Sequence, residues 1–152
     1  MTTPPWDSRA EAGQPAIRAA SEEDTEAAGS AVGRSLCAGD VVSLSGPLGC
    51  GKTVFVRGLA RALAIEELIT SPSFVIVQQY EGRLPFYHLD LYRLNSSVEL
   101  EELGFRDMLS SGAVLAIEWG EKAGALLPAR RTEVRFAIAP DGSRDITVEE
   151  RR

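Results

Sequence analysis

Apolar positions along this chain fall into two periods, and the switches between them lay out the elements. Val41-Val42-Ser43-Leu44-Ser45 is a short apolar run that reads as a buried strand. Directly beyond a glycine-rich turn, Val54, Phe55, Leu59, Leu63 and Ile65 recur at three- and four-residue spacing, the signature of a helix. Phe74 to Tyr80 and Leu84 to Leu89 are β-rich runs split by Glu81-Gly82-Arg83, which predicts a hairpin. Val98 to Leu109 carries helical spacing among many carboxylates and reads as a short, solvated helix pair. Ala113 to Ile117 is continuously apolar and fits a strand buried on both faces. Thr132 to Ala139 and Asp145 to Glu149 form a second hairpin around Pro140-Asp141-Gly142. Upstream, Ala16 to Ala20 is a weak strand candidate. Ser21 then reads as an N-cap, with Glu22, Glu23 and Asp24 in the first turn of a helix running to about Leu36. The expected order is βαβαββαβββ.

Punctuation and composition set the limits. Met1 to Pro15 is rich in Pro, Gly, Thr and charge and reads as a disordered extension, leaving residues 16–152 as a single domain. Thr70-Ser71-Pro72-Ser73-Phe74 is a loop by its turn chemistry. At 152 residues, 44% hydrophobic and 25% charged, the chain matches a soluble globular domain with one real core. Its net charge of −6 argues against non-specific nucleic-acid binding, so any RNA role must run through a local basic patch or a partner. Cys37 and Cys50 show no metal-ligand spacing, which points to a reducing, cytoplasmic setting. No apolar run reaches membrane-spanning length and the start lacks a basic-then-apolar leader, so neither a membrane span nor a signal peptide is expected.

The turn after the first buried strand carries the chemistry. Gly46-Pro47-Leu48-Gly49-Cys50-Gly51-Lys52-Thr53 fits G-x-x-x-x-G-K-[ST] at every fixed position, between a strand and a helix as that pattern requires. Its backbone N–H groups would converge on phosphate oxygens, helped by the helix N-terminus. Lys52 is expected to reach the β- and γ-phosphates, and the Thr53 hydroxyl to ligate Mg²⁺. The fold this implies is α/β and P-loop NTPase-like: three layers, α/β/α, around a mixed parallel/antiparallel sheet.

Such a site needs a carboxylate at a strand end facing the loop. Asp90 and Glu118 are the two candidates. His88, the only histidine, shares a strand face with Phe86 and Asp90, and a core histidine hydrogen-bonded to a neighbour is the commoner reading than direct chemistry. Ser73 is either a switch hydroxyl over the γ-phosphate or part of a plain turn. Cys50 sits where the helix N-terminus and Lys52 both favour a thiolate, which predicts faster alkylation without nucleotide than with it.

Together with the glycine loop, Ser71-Pro72-Ser73-Phe74, His88-Leu89-Asp90-Leu91-Tyr92-Arg93, Glu99-Leu100-Glu101-Glu102-Leu103-Gly104 and Ile117-Glu118-Trp119 occur in an order that resembles the TsaE (YjeE) family. The resemblance spans Ser21 to Arg144. It implies a Mg²⁺-dependent ATPase for threonylcarbamoyladenosine (t6A) modification of tRNA, acting with the TsaB and TsaD proteins and meeting tRNA only through that complex. It implies catalytic roles for Lys52, Asp90 and Glu118, with ATP phosphates on Leu48, Gly49, Cys50, Gly51, Lys52 and Thr53. Mg²⁺ would sit on Thr53 and Glu118, with Asp90 near its waters and the γ-phosphate. Glu22, Val54, Ser73 and Arg144 would border the nucleotide, and Trp119 would pack beside it.

Three departures from the family's usual loop matter. Pro47 removes a backbone N–H, Cys50 stands at a position usually held by alanine, and Val54 replaces a hydroxyl residue that would face the α-phosphate, which predicts weaker nucleotide affinity. A small-molecule P-loop kinase is the alternative enzyme, although no lid-sized insertion accompanies Arg130 and Arg131. A non-catalytic nucleotide-binding module is the third reading. A GTPase is disfavoured because no N-K-x-D segment is present.

Overall fold

The structure, a computed structural model, describes residues 16–70 and 76–152. The extension expected over residues 1–15, Ser73 and the beginning of the first expected hairpin lie outside the described residues. Seven strands form one sheet: β1 (Ala16–Ala19), β2 (Val41–Ser45), β3 (Val77–Tyr80), β4 (Phe86–Asp90), β5 (Val114–Glu118), β6 (Arg131–Ile138) and β7 (Arg144–Arg151). Their spatial order is β1-β7-β6-β2-β5-β4-β3. The four central strands, β6, β2, β5 and β4, run parallel, and antiparallel partners close each side. The sheet is therefore mixed, as the two sequence hairpins require.

Helices cover both faces. On one side α1 (Glu22–Gly33) and α2 (Lys52–Ala62) pack over Val42, Leu44, Val114, Ala116, Val134 and Phe136. On the other, α3 (Ser97–Glu102) and α4 (Phe105–Ser110) bring Leu100, Phe105 and Met108 against Val41, Leu89, Leu115 and Ile117. Alternate residues of β4 and β5 thus feed opposite cores, which is why both strands read as nearly unbroken apolar runs. Three layers result.

Local chemistry explains the element ends. Ser21 caps α1 by accepting the Asp24 N–H at 3.2 Å, and the Asp24 carboxylate accepts the Ala20 N–H at 3.0 Å. Asp24 thus ties the start of the helix to the residue before its cap, a variant of the capping box in which the side chain reaches back one residue further than the cap itself. The helix was expected to reach Leu36 but ends at Gly33. Beyond it Ser35 and Leu36 turn with bonds to the third residue back, tightening the last turn out of α geometry. α1 and α2 cross closely: a Cβ at Gly29 would sit 2.0 Å from the Phe55 carbonyl oxygen, and one at Gly58 would sit 2.0 Å from that of Glu26.

A segment of 3₁₀ turns at Gly120–Leu126, interrupted at Gly124, was not expected from sequence. It follows Trp119, whose φ of 57° is left-handed, and Gly120, where a Cβ would meet the Ser43 hydroxyl at 1.9 Å. Its three-residue turns leave too little periodicity for a helical pattern to register.

Candidate functional site

The glycine loop closes the gap between β2 and α2, and its glycines take the backbone angles a side chain would resist. Gly49 and Gly51 have φ of 78° and 106°. Lys52 opens α2 and folds back over the loop. Its ammonium donates to the carbonyls of Gly46 (2.8 Å) and Pro47 (3.0 Å) and lies 4.3 Å from the centre of the Trp119 ring. Only 4% of Lys52 is exposed, yet its charge is satisfied by two carbonyl dipoles and an aromatic face. Pro47, which takes an N–H from the loop, here contributes its carbonyl as a resting place for that lysine.

Both candidate carboxylates end their strands. The expected runs stopped at Leu89 and Ile117. Each strand in fact starts later and ends one residue later than expected, and Asp90 and Glu118 pair directly in the β4–β5 register. Glu118 faces α2, where its Oε2 accepts the Thr53 hydroxyl at 2.8 Å. Residues 65 positions apart are joined at the mouth of the loop. Asp90 Oδ1 accepts the Tyr92 N–H at 3.0 Å, which turns the chain sharply after the strand. His88, fully buried, lies 2.6 Å from the same Glu118 oxygen through Nε2. Its partner is thus a residue on the adjacent strand rather than a chain neighbour. Sequence parity put His88 on the right face, but only strand register shows which acid it meets.

A cleft of about 300 Å³ opens beside the loop, within the lower range for small-ligand pockets. Ala19, Ser21 and Glu22 line one side, Gly49 to Gly51 with Val54 another, and Gly142 with Arg144 a third. Two residues implied only by resemblance, Glu22 and Arg144, are therefore brought to the loop. Arg144 also braces it, donating from Nε to the Cys50 carbonyl at 3.1 Å and from Nη2 to that of Gly49 at 3.3 Å. Leu48 lies at the exposed tip.

Sequence reasoning missed Thr25, which lines the cleft from α1, and Tyr92, whose ring centre lies 5.0 Å from that of Trp119. The phase of α1 against the loop is a tertiary fact, so Thr25 carried no signal. Tyr92 sat inside the His88–Arg93 motif and could have been found there.

One expectation fails. Cys50 was read as a thiolate that nucleotide would shield. It is fully buried in the core beneath α1 and α2, and burial pushes its thiol up from the ordinary value, against a smaller pull from Lys52. Desolvation outweighs the nearby ammonium even though Lys52, besides its two loop carbonyls, donates to the thiol sulfur at 3.6 Å.

The donor set can be tested against a metal. Among the described residues no cluster of three or more His, Cys, Asp and Glu is arranged to hold an ion. What the chain offers is a hydroxyl, Thr53, beside a carboxylate, Glu118, with Asp90 on the next strand: hard oxygens, few in number. That suits Mg²⁺, which takes one or two protein oxygens and completes its shell with phosphate and water. No helix among the described residues is long and apolar enough to cross a membrane.

The chain is similar to known proteins in both sequence and fold. Residues 19–146 match the family described as threonylcarbamoyl adenosine biosynthesis protein TsaE. The chain is 44% identical over 128 residues to the tRNA threonylcarbamoyladenosine biosynthesis protein TsaE of Treponema pallidum (strain Nichols), covering 84% of this chain and 95% of that one. It is 36% identical over 131 residues to the Bacillus subtilis (strain 168) protein of the same name, covering 86% and 82%. The crystal structure of Bacillus subtilis YdiB superposes with a TM-score of 0.80 at 31% identity, covering 91% of this chain and 86% of that one.

Proposed function

Because the chain belongs to the TsaE family of threonylcarbamoyl adenosine biosynthesis proteins, we propose that it serves t6A modification of tRNA as a Mg²⁺-dependent ATPase. It acts with the TsaB and TsaD proteins and meets tRNA only through them. The observation that carries the ATPase reading is the 2.8 Å bond between Thr53 and Glu118, which ties a strand-end acid to the hydroxyl that closes a phosphate-loop motif.

Each residue then has a task. Backbone N–H groups from Leu48 to Thr53 receive the phosphates at the start of α2. Lys52 exchanges its two loop carbonyls for β- and γ-phosphate oxygens, while Trp119 keeps one side of its ammonium covered. Thr53 and Glu118 would hold Mg²⁺, which supplies charge neutralisation on the phosphates. Asp90, at the neighbouring strand end, accepts hydrogen bonds from waters at the γ-phosphate. Water attacks the γ-phosphorus, the bond to the β–γ bridging oxygen breaks, and ADP and phosphate leave. Glu22, Val54 and Arg144 border the rest of the nucleotide in the cleft. A net charge of −6 is consistent with indirect contact to tRNA. The reading places the protein in the cytoplasm, with ATP and tRNA.

The test is co-purification with TsaB and TsaD, with and without ATP, alongside phosphate release from labelled ATP. Wild type should be retained in an ATP-dependent manner and release phosphate to water, and Lys52→Ala should do neither. Failure to bind either partner, or transfer of the label to an added nucleoside or sugar, would reject the proposal.

A further inference from the structure

We infer that His88 is a positioning residue for the Glu118 carboxylate, holding it in the rotamer that faces Thr53. The inference rests on the Mg²⁺–nucleotide reading above and deepens it. Glu118 Oε2 takes two donors from two elements, the Thr53 hydroxyl from α2 at 2.8 Å and His88 Nε2 from β4 at 2.6 Å. Oε1 takes neither. A glutamate has three side-chain torsions, and a single bond to Thr53 would leave the carboxylate able to swing when that hydroxyl changes partners. A second donor from a fully buried strand residue removes that freedom.

The tautomer follows from satisfaction. His88 Nδ1 is buried with no hydrogen-bond partner among the described residues, and an unpaired buried N–H is costlier than an unpaired lone pair on nitrogen. The hydrogen therefore sits on Nε2 and is donated to Glu118. This is how an outer partner orients a ligating carboxylate. A histidine that merely filled the core would need no carboxylate, still less the oxygen shared with the end of the phosphate loop.

The test compares two polar replacements of similar burden. Glutamine places an amide nitrogen where Nε2 lies, and asparagine places one only where Nδ1 lies. ATP affinity is measured by calorimetry in Mg²⁺ and in EDTA, and the ratio of the two dissociation constants is the readout. His88→Asn should lose about tenfold of the Mg²⁺ enhancement, in line with loss of an outer-shell partner. Its EDTA affinity should be unchanged, because the loop N–H groups are untouched. His88→Gln should retain most of the enhancement. Full retention by both variants, equal loss in both, or parallel loss in EDTA would each overturn the inference.

A second measurement needs no variant to fold. The chain has one histidine, so ¹⁵N-histidine spectra report His88 alone. They should show a protonated Nε2 and a bare Nδ1, with Mg²⁺·ADP moving the Nε2 signal more. The opposite tautomer overturns the inference. Wild type that binds ATP equally with and without Mg²⁺ would instead reject the metal reading of the site and leave the hydrogen bond itself standing.

Discussion

Lys52, Val54 and Cys50 lie within five residues, yet their surroundings give them different chemistry. Val54 lines the cleft with an apolar branch where a hydroxyl could reach a phosphate. Val54→Thr should tighten ATP binding by about 1 kcal/mol, roughly fivefold in Kd, the worth of one net hydrogen bond. Calorimetry giving equal affinities would show that this position never meets the nucleotide. Cys50 faces the other way, into the core. Native protein should therefore take up iodoacetamide at exposed Cys37 and only slowly at Cys50, at the same slow rate with or without nucleotide. Rapid double labelling of native protein, read by mass spectrometry, would contradict the burial.

At the level of elements, the contact between α1 and α2 fixes where the loop meets the rest of the cleft. Gly58 lies within that contact, and helix propensity alone would favour alanine there by about 1 kcal/mol. The Cβ, however, would fall 2.0 Å from the Glu26 carbonyl oxygen and 2.7 Å from the Ser30 nitrogen, both backbone atoms that cannot rotate away. Overpacking of this kind costs about 1–3 kcal/mol and wins. Gly58→Ala should lower the urea midpoint, and a raised midpoint would mean the helices can part freely.

The β6–β7 hairpin gives an element-scale pH effect. Glu149 accepts from Arg135 Nη1 at 3.1 Å, and that bond, foremost, with Arg151 nearby, holds its carboxyl below the ordinary 4.5. A folded pKa below the unfolded one adds stability that is complete above the unfolded value and is lost as pH falls through the folded one. Glu149→Gln should therefore lower the Tm near neutral pH, and its gap from wild type should close as acid takes the pH down from the ordinary 4.5 through the lower folded value. A gap that stays constant into acid would show that the Arg135 pair adds nothing.

Across the whole molecule, the cleft draws on three segments that sequence keeps far apart: the β1–α1 junction, the loop, and the β6–β7 turn. A bound nucleotide should slow amide hydrogen exchange in all three, near residues 19–25, 49–54 and 142–144, and leave α3 and α4 on the opposite face unchanged. Protection confined to residues 49–54 would show that the other two walls do not touch the ligand.

How much of this was legible follows from what each signal depends on. The phosphate loop, the strand before it and the helix after it are local, and a few residues with fixed spacing determine them. The N-cap at Ser21 and both hairpins are local in the same way. Helix α1 was read too long because the tightening of its last turn beyond Gly33 leaves no mark on apolar spacing. The 3₁₀ turns after Trp119 were invisible because they depend on Gly120 seating against Ser43 of another strand.

The chain's order of residues thus determined which chemical groups are present and which element each one ends. It could not decide which of them meet. Asp90 and Glu118 were equal candidates until parallel register set them side by side and the facing of β5 turned Glu118 to Thr53. Cys50 looked reactive until packing took it out of water. Register, facing and burial are properties of elements packed together, and contacts between residues 65 positions apart exist only once the sheet has formed.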